Sequence, residues 1–110
     1  MIHAAPLSED IIHTIVQRIV ERFHPVRIIL FGSRARGEAG PWSDVDLLVV
    51  LPEVAHKRRA MVEILRALSD LPVATDVIVS TPEELEQRGH VKGDVLRAAL
   101  REGKVLYERN

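Results

Sequence analysis

Three short apolar runs constrain the fold of this 110-residue chain more than any other feature of its sequence. They span residues 26–31 (VRIILF), 44–51 (DVDLLVVL) and 73–80 (VATDVIVS), and they are rich in β-branched residues. Runs of this length and composition favour buried strands over helices. Because the stretches around them have helical periodicity, we predict an α/β (α+β) domain in which helices pack against a mixed β-sheet.

The stretches that flank the strands predict amphipathic helices. The first helix begins at Ser8 and ends at His24-Pro25, with apolar residues at helical spacing between them. The second covers residues 54–69, which carry apolar side chains on one face and basic residues near the start. Each helix therefore has one face that can be buried against a sheet.

The last part of the chain predicts short elements. Thr81 is a suitable N-cap, and the proline that follows it fits the first turn of a helix. Gly89 and Gly93 break the next residues into short helices, and residues 104–107 (KVLY) favour a last strand. The expected order is helix, strand, loop, strand, helix, strand, two short helices and strand, with the whole chain forming one domain.

Composition excludes several classes of protein. The chain has no cysteine, which rules out disulfides and thiolate metal sites. Its 15 Lys and Arg residues nearly balance 16 Asp and Glu residues, and the net charge of −1 argues against a protein that coats nucleic acid through charge alone. The sequence shows neither a signal-peptide pattern nor an apolar run of about 20 residues. We therefore expect a cytoplasmic protein with no membrane segment and no direct nucleic-acid binding.

The second strand carries charge where apolar residues are expected. Side chains alternate along a strand, so Asp44 and Asp46 project from the same face. Asp76, in the third strand, would lie near them if the two strands are neighbours. Clustered carboxylates favour a bound divalent cation, and oxygen ligands select Mg²⁺ or Mn²⁺ over Zn²⁺. The D-x-D spacing is common by chance, however, and an Asp at a strand start often only caps a turn.

A glycine-serine pair follows the first strand. Gly32-Ser33 is followed by Arg34-Ala35-Arg36, which favours helix, so we expect a helix N-terminus with free N–H groups, a hydroxyl and two guanidiniums. Such a place suits phosphates, although the pair alone is more typical of an ordinary turn. The combination is more specific: a strand, Gly-Ser, ten residues and then Asp-x-Asp provide what a nucleoside triphosphate with Mg²⁺ requires.

The segment F-GS-RARGEAGPWS-D-V-D-LLVV resembles the signature of the DNA polymerase β-like nucleotidyltransferase superfamily, a hydrophobic residue, GS, a spacer and DxD. The GSRARG and SDVDL forms resemble its minimal nucleotidyltransferase (MNT) branch, as do DVIV in the third strand and REGKVLYE near the end. The resemblance implies a nucleotidyltransferase fold and a toxin–antitoxin module. In such a module a HEPN-domain toxin, encoded by a neighbouring gene, receives AMP from ATP on a tyrosine and forms a complex with the MNT antitoxin.

The resemblance also implies roles for single residues. Gly32 and Ser33 would hold the triphosphate. Asp44 and Asp46 would ligate two metal ions, Mg²⁺ or Mn²⁺, that bridge the phosphates and the attacking oxygen. Asp76 would ligate the second ion and favour deprotonation of the acceptor hydroxyl. Phosphate binding, metal ligation and deprotonation of the acceptor by different residues suit an in-line displacement at the α-phosphate.

Roles in the loop between the two motifs stay open. Arg34 and Arg36 could meet the β- and γ-phosphates, but Arg36 could equally brace the loop through a carboxylate such as Glu38. Ser43 is a candidate for nucleotide binding that would more ordinarily cap or orient the start of the strand. Trp42 could stack on the base or on a partner, or simply pack the loop onto the core.

Other polar features are weaker. The five histidines have no metal-ligand spacing, so we expect surface or structural roles for them. Residues 56–59 (HKRR) could meet RNA or an acidic partner, although a solvated helix face is more usual. Tyr107 could accept AMP in a self-modification, but an aromatic packed on an edge strand is the plainer interpretation.

Three functional hypotheses follow. The first is an ATP-dependent adenylyltransferase acting on a hydroxyl of a partner toxin. The second is an antitoxin that only binds and occludes its toxin, for which the aspartates would be dispensable. The third is adenylylation of a small molecule such as an antibiotic, which suits larger relatives better because 110 residues leave no further domain to form an acceptor pocket.

Overall fold

A computed structural model describes residues 9–37 and 44–109 and contains the predicted elements in the predicted order. Four helices and four strands form a small α+β domain. Their bounds are α1 (Glu9–Phe23), β1 (Arg27–Phe31), β2 (Val45–Val50), α2 (Lys57–Ala67), β3 (Thr75–Ser80), α3 (Pro82–Arg88), α4 (Val95–Glu102) and β4 (Lys104–Glu108).

The sheet is mixed, with strand order β3-β2-β1-β4. β1 pairs antiparallel with both β2 and β4, whereas β2 and β3 are parallel. The parallel pair is connected through α2, since parallel neighbours need a crossover that returns the chain to the starting edge. As a result β1 ends at the same edge at which β2 and β3 begin, and we call this edge the site end of the sheet.

The two faces of the sheet are covered by different helices. β2 shows the predicted alternation: Val45, Leu47 and Val49 join one core cluster, and Leu48 and Val50 join the other. The first cluster includes buried residues of α1 and α2, and the second includes buried residues of α3 and α4. These residues are Ile15, Ile19 and Ile64, together with Leu68 at the C-cap of α2, in the first cluster, and Leu85, Leu96 and Ala99 in the second.

Several element boundaries differ from the prediction by a few residues. The second helix begins at Lys57 rather than 54, because His56 has an extended backbone (φ −136°, ψ 100°) that cannot continue a helix. The half-buried Val54 contacts the core from a loop instead. β3 begins at Thr75 rather than 73, because Val73 donates its N–H to the Leu71 carbonyl in a turn (2.8 Å).

Ion pairs and caps fix the helices in place. Arg18 of α1 forms a two-pronged ion pair with Asp70 and donates to the Ala67 carbonyl (2.9 Å), which ties α1 to the end of α2. Thr81 and Asp94 accept N–H bonds as the N-caps of α3 and α4, as the prediction for Thr81 requires. Within the described residues no helix is both long and apolar enough to cross a bilayer.

Candidate active site

The topology brings two predicted aspartates together. β2 and β3 are in parallel register with Asp46 opposite Asp76, so the two residues are direct neighbours across the sheet. Both lie at the site end, one residue after the start of each strand. Asp44 lies just before β2 and is exposed. The two strands that carry these aspartates are therefore neighbours, as the predicted approach of Asp76 to Asp46 requires.

The environment of Asp46 disfavours a negative charge. Burial raises the pKa of the Asp46 carboxyl, and the charges of Asp76 and Asp44 and a hydrogen bond with Asp76 raise it further. The positive charge of Arg36 lowers it by less. Repulsion between neighbouring carboxylates is relieved when one of them is protonated or when a cation binds. Asp46 therefore lies in a carboxylate-rich environment that the charge of Arg36 offsets only in part.

Gly32 connects the glycine-serine motif to this cluster. Its backbone is left-handed (φ +76°), a conformation that glycine adopts without strain. A Cβ at this position would overlap the Oδ2 atom of Asp46 and lie 3.2 Å from its Cγ. Phe31, the residue before it, pairs with Asp46 across β1 and β2. The backbone after β1 can approach the Asp46 carboxylate this closely only because residue 32 has no side chain.

The segment after Gly32 is a single turn rather than the predicted helix. Arg36 donates its N–H to the Gly32 carbonyl and Gly37 donates to the Arg34 carbonyl, each at 3.2 Å. Gly37 has a positive φ (+73°), which ends the turn after one revolution. The expectation of a helix N-terminus is thus wrong, and Ser33 lies instead in the tight turn that follows Gly32.

Arg36 points toward α4. Its Nη1 atom lies 3.8 Å from Oε2 of Glu102, and its charge also acts on Asp46. Sequence reasoning missed Glu102, whose available signal was an acidic residue in the last turn of a helix, where the helix dipole disfavours it. The predicted alternative, Glu38, lies outside the described residues, as do Trp42 and the predicted nucleotide-binding residue Ser43.

Comparison with known proteins gives the family. The family model for the nucleotidyltransferase domain matches residues 12–105. The chain belongs to the nucleotidyltransferase domain family. The family membership predicted from the GS and DxD motifs is therefore confirmed.

The chain spans only a small part of the curated relative that it matches. It is 40% identical over 78 residues to the bifunctional uridylyltransferase/uridylyl-removing enzyme of Bordetella pertussis, a match that covers 68% of this chain but 9% of that enzyme. Its fold is similar to that of a protein from Sulfolobus solfataricus inferred to be a nucleotidyltransferase (22% identity, TM-score 0.65, 91% of this chain and 79% of the other). A chain of the MntA–HpeT toxin–antitoxin is similar at TM-score 0.64 (20% identity, 94% and 75%).

The carboxylate oxygens of the aspartates are ligands of the kind that hard divalent cations such as Mg²⁺ prefer. Within residues 9–37 and 44–109, no three Asp, Glu, His or Cys side chains already surround a common point that could hold a metal. Mg²⁺, however, is usually held by one or two carboxylates together with substrate phosphates and water. Asp46 and Asp76, with Asp44 beside them, provide such a partial set of ligands.

Two other predicted features have ordinary surroundings. Tyr107 is half-buried on β4, an edge strand, and packs against the first core cluster. Lys57, in the basic stretch at the start of α2, forms an ion pair with Glu84 of α3 at 2.5 Å. These contacts are structural and lie apart from the aspartate cluster.

Proposed function

We propose that this chain transfers AMP from ATP to a hydroxyl of a HEPN-domain toxin encoded beside it, with a tyrosine as the expected acceptor, and so acts as its antitoxin. The observation that carries the proposal is the placement of Asp46 opposite Asp76 and against Gly32. The link to a toxin is supported by the fold shared with MntA–HpeT and with a toxin–antitoxin structure that contains AMP-PNP (21% identity, TM-score 0.52, 94% of this chain and 76% of the other).

The turn after β1 would bind the triphosphate. Gly32 allows a ligand to approach the backbone closely, and Ser33 adds a hydroxyl donor. Arg34 and Arg36 lie in the same turn and would meet the β- and γ-phosphates. Arg36 already faces the carboxylate of Glu102, so it would exchange or share that partner when a phosphate arrives.

The aspartates would hold the metal and the acceptor. Asp44, Asp46 and Asp76 are the residues that would ligate Mg²⁺ or Mn²⁺. When bound, the ions neutralise the triphosphate and the departing pyrophosphate. Asp76 would also orient the acceptor hydroxyl and favour loss of its proton.

The reaction is an in-line substitution at the α-phosphorus of ATP. The acceptor oxygen forms a bond to phosphorus, the bond to the pyrophosphate oxygen breaks, and the hydroxyl proton leaves through Asp76 to solvent. The residues of this chain contribute mainly by positioning the two reactants and by stabilising charge. Such positioning can supply a large part of the rate enhancement.

Uridylyl transfer from UTP is a second candidate. It is supported by the 40% identity to the Bordetella uridylyltransferase, although this chain spans only 9% of that enzyme. The two candidates share the site and the chemistry and differ only in the base. A third outcome, an antitoxin that binds without catalysis, would make the aspartates unnecessary for neutralisation.

Intact mass spectrometry tests all three. The chain is co-purified with the product of its neighbouring gene, incubated with Mg²⁺ and either ATP or UTP, and both proteins are weighed. The double variant Asp44→Asn/Asp46→Asn is the inactive comparison. Glu53→Gln/Glu86→Gln, which alters two exposed carboxylates outside the site, is the matched control.

Each outcome selects one hypothesis. A gain of AMP mass on the neighbour, seen with the control variant but not with the aspartate variant, supports the proposal. A gain of UMP mass supports the second candidate. If the complex forms and the toxin is silent without any added mass, transfer is excluded and occlusion remains.

A further inference from the structure

A groove runs along the exposed side of α2, on the surface away from the aspartate cluster. It has a volume of 530 Å³ and is lined by His56, Arg58, Arg59, Val62, Glu63 and Arg66. All six residues are exposed. We call the surface formed by His56 and the three arginines the α2 basic face.

The arginines of the α2 basic face are unpaired within the described part of the chain. Lys57, beside them, forms its ion pair with Glu84. Arg58, Arg59 and Arg66 form no ion pair with a described residue. Three guanidiniums therefore project into one groove with their hydrogen-bonding capacity available to a partner.

Helix stability explains Arg66, which lies in the last turn of α2, but not Arg58 and Arg59 at its start. The first turn of α2 contains no acidic residue, and the N-cap His56 makes no side-chain capping bond. Cations in the first turn oppose the helix dipole. α3 shows the opposite arrangement, with Thr81 as a bonded cap and Glu83 and Glu84 in its first turn. Residues that oppose a local stability preference, such as cations at a helix start, are most often found at functional surfaces.

We propose that the α2 basic face docks an acidic segment of a partner protein. Charge complementarity identifies an acidic partner, and two observations favour protein over nucleic acid. Val62, which is 37% exposed, offers an apolar contact between the arginines. The chain as a whole has a net charge of −1, which disfavours binding to a phosphate backbone through charge alone.

This surface is separate from the proposed chemistry. α2 packs on the sheet face formed by Val45, Leu47 and Val49, whereas Asp46 belongs to the alternating set on the opposite face. A partner held on α2 would leave the aspartates open. The docking proposal therefore goes beyond nucleotidyl transfer and does not depend on it.

Binding to defined probes tests the proposal. Fluorescence anisotropy is measured with a labelled helical peptide that carries glutamates on one face around a central leucine, and with oligouridine of about 16 nucleotides. The test variant is Arg58→Glu/Arg59→Glu/Arg66→Glu. The control is Lys92→Glu/Arg101→Glu/Lys104→Glu, which makes the same charge change at exposed positions elsewhere.

We expect the peptide to bind and the test variant to bind it about tenfold more weakly, with little change in the control. Binding should weaken as salt is added. Glutamates at 58 and 59 complement the helix dipole, whereas a glutamate at 66 opposes it, so the net change in melting temperature should be small. Thermal denaturation of both triple variants checks that loss of binding does not reflect unfolding. Asp44→Asn/Asp46→Asn should keep the affinity, which separates docking from transfer.

Three results would overturn the proposal. The wild type could fail to bind the peptide, the two triple variants could bind it equally, or oligouridine could bind while the peptide does not. The last result would assign the α2 basic face to nucleic acid.

Discussion

Both ends of the β-sheet carry clustered carboxylates, but the pKa of Glu84 at one end is lowered and the pKa of Asp46 at the other end is raised. At the end opposite the site, Glu84 accepts hydrogen bonds from Ser80 Oγ (2.6 Å), Lys57 Nζ (2.5 Å) and Arg88 Nη1 (3.0 Å). Burial alone would raise the pKa of Glu84, but the hydrogen bonds from Lys57 and Ser80, together with the charges nearby, lower it. Arg88 also pairs with Asp94, so this end is a closed network.

The site end shows the reverse. The pKa of Asp46 is raised by burial and by its neighbours Asp76 and Asp44, and the charge of Arg36 does not compensate. A fold that can surround Glu84 with cations could also do so for Asp46. Perturbed carboxylates of this kind concentrate at functional sites. We therefore propose that a cation bound together with a nucleotide offsets the negative charge that remains around Asp46.

Removing the charge at the site end should have the largest effect. Asp44→Asn/Asp46→Asn should lower nucleotidyl transfer by at least about 100-fold, because residues that hold charge in the transition state are each worth that much or more. The same change should leave the melting temperature equal or higher, because it removes repulsion rather than a favourable contact. Transfer is followed by intact mass and stability by thermal denaturation.

Glu53→Gln/Glu86→Gln is the control for this pair of measurements, and it should change neither quantity. A large fall in stability of the aspartate variant would show that the cluster is structural, and the contrast between the two ends would then disappear.

The second prediction concerns the contact between Gly32 and Asp46. Gly32→Ala should destabilise the fold by about 1–3 kcal/mol and displace the Asp46 carboxylate, so nucleotide binding should also weaken. Gly37→Ala is a matched control, because Gly37 has a similar φ (+73°) but open space where a Cβ would lie. It should lower stability by about 1 kcal/mol and leave nucleotide affinity intact.

Chemical denaturation and titration with a fluorescent ATP analogue in the presence of Mg²⁺ measure the two effects. Equal nucleotide affinities for the two variants would mean that the close approach to Asp46 has no functional role.

The sequence predicts the element order and the face on which Asp46 lies, because both depend on local periodicity. It does not predict the contact between Gly32 and Asp46, nor the approach of Arg36 to Glu102. Those contacts depend on how elements distant in the chain pack together. The predicted helix after Ser33 fails for a local reason, since Gly37 ends the turn before a helix can continue.

A third prediction concerns Glu84, at the end of the sheet opposite the site. Glu84→Gln keeps an acceptor for Ser80 but removes the charge that faces Lys57 and Arg88, and should destabilise the fold by about 1–2 kcal/mol. Transfer by the folded protein should not change, because the network lies at the opposite end of the sheet. Glu83→Gln, an exposed neighbour in the same helix turn, is the control and should shift denaturation midpoints far less.

The smallest effect, and the most direct test of the contrast, is the pH dependence of stability without metal. The pKa of Glu84 is lowered by folding, so its contribution is present above its unfolded pKa of about 4.3 and is lost as the pH falls through the folded value. The pKa of Asp46 is raised, so its penalty is absent below about 3.9 and grows as the pH rises through the folded value.

The two ends should therefore give opposite trends in urea denaturation measured from acid to neutral pH in EDTA. As the pH rises, the free energy of unfolding of Glu84→Gln should fall further below that of the wild type. The free energy of unfolding of Asp46→Asn should rise relative to that of the wild type. If both differences changed in the same direction, the charges at the two ends would be equally balanced, and the argument that a ligand completes the site end would lose its electrostatic basis.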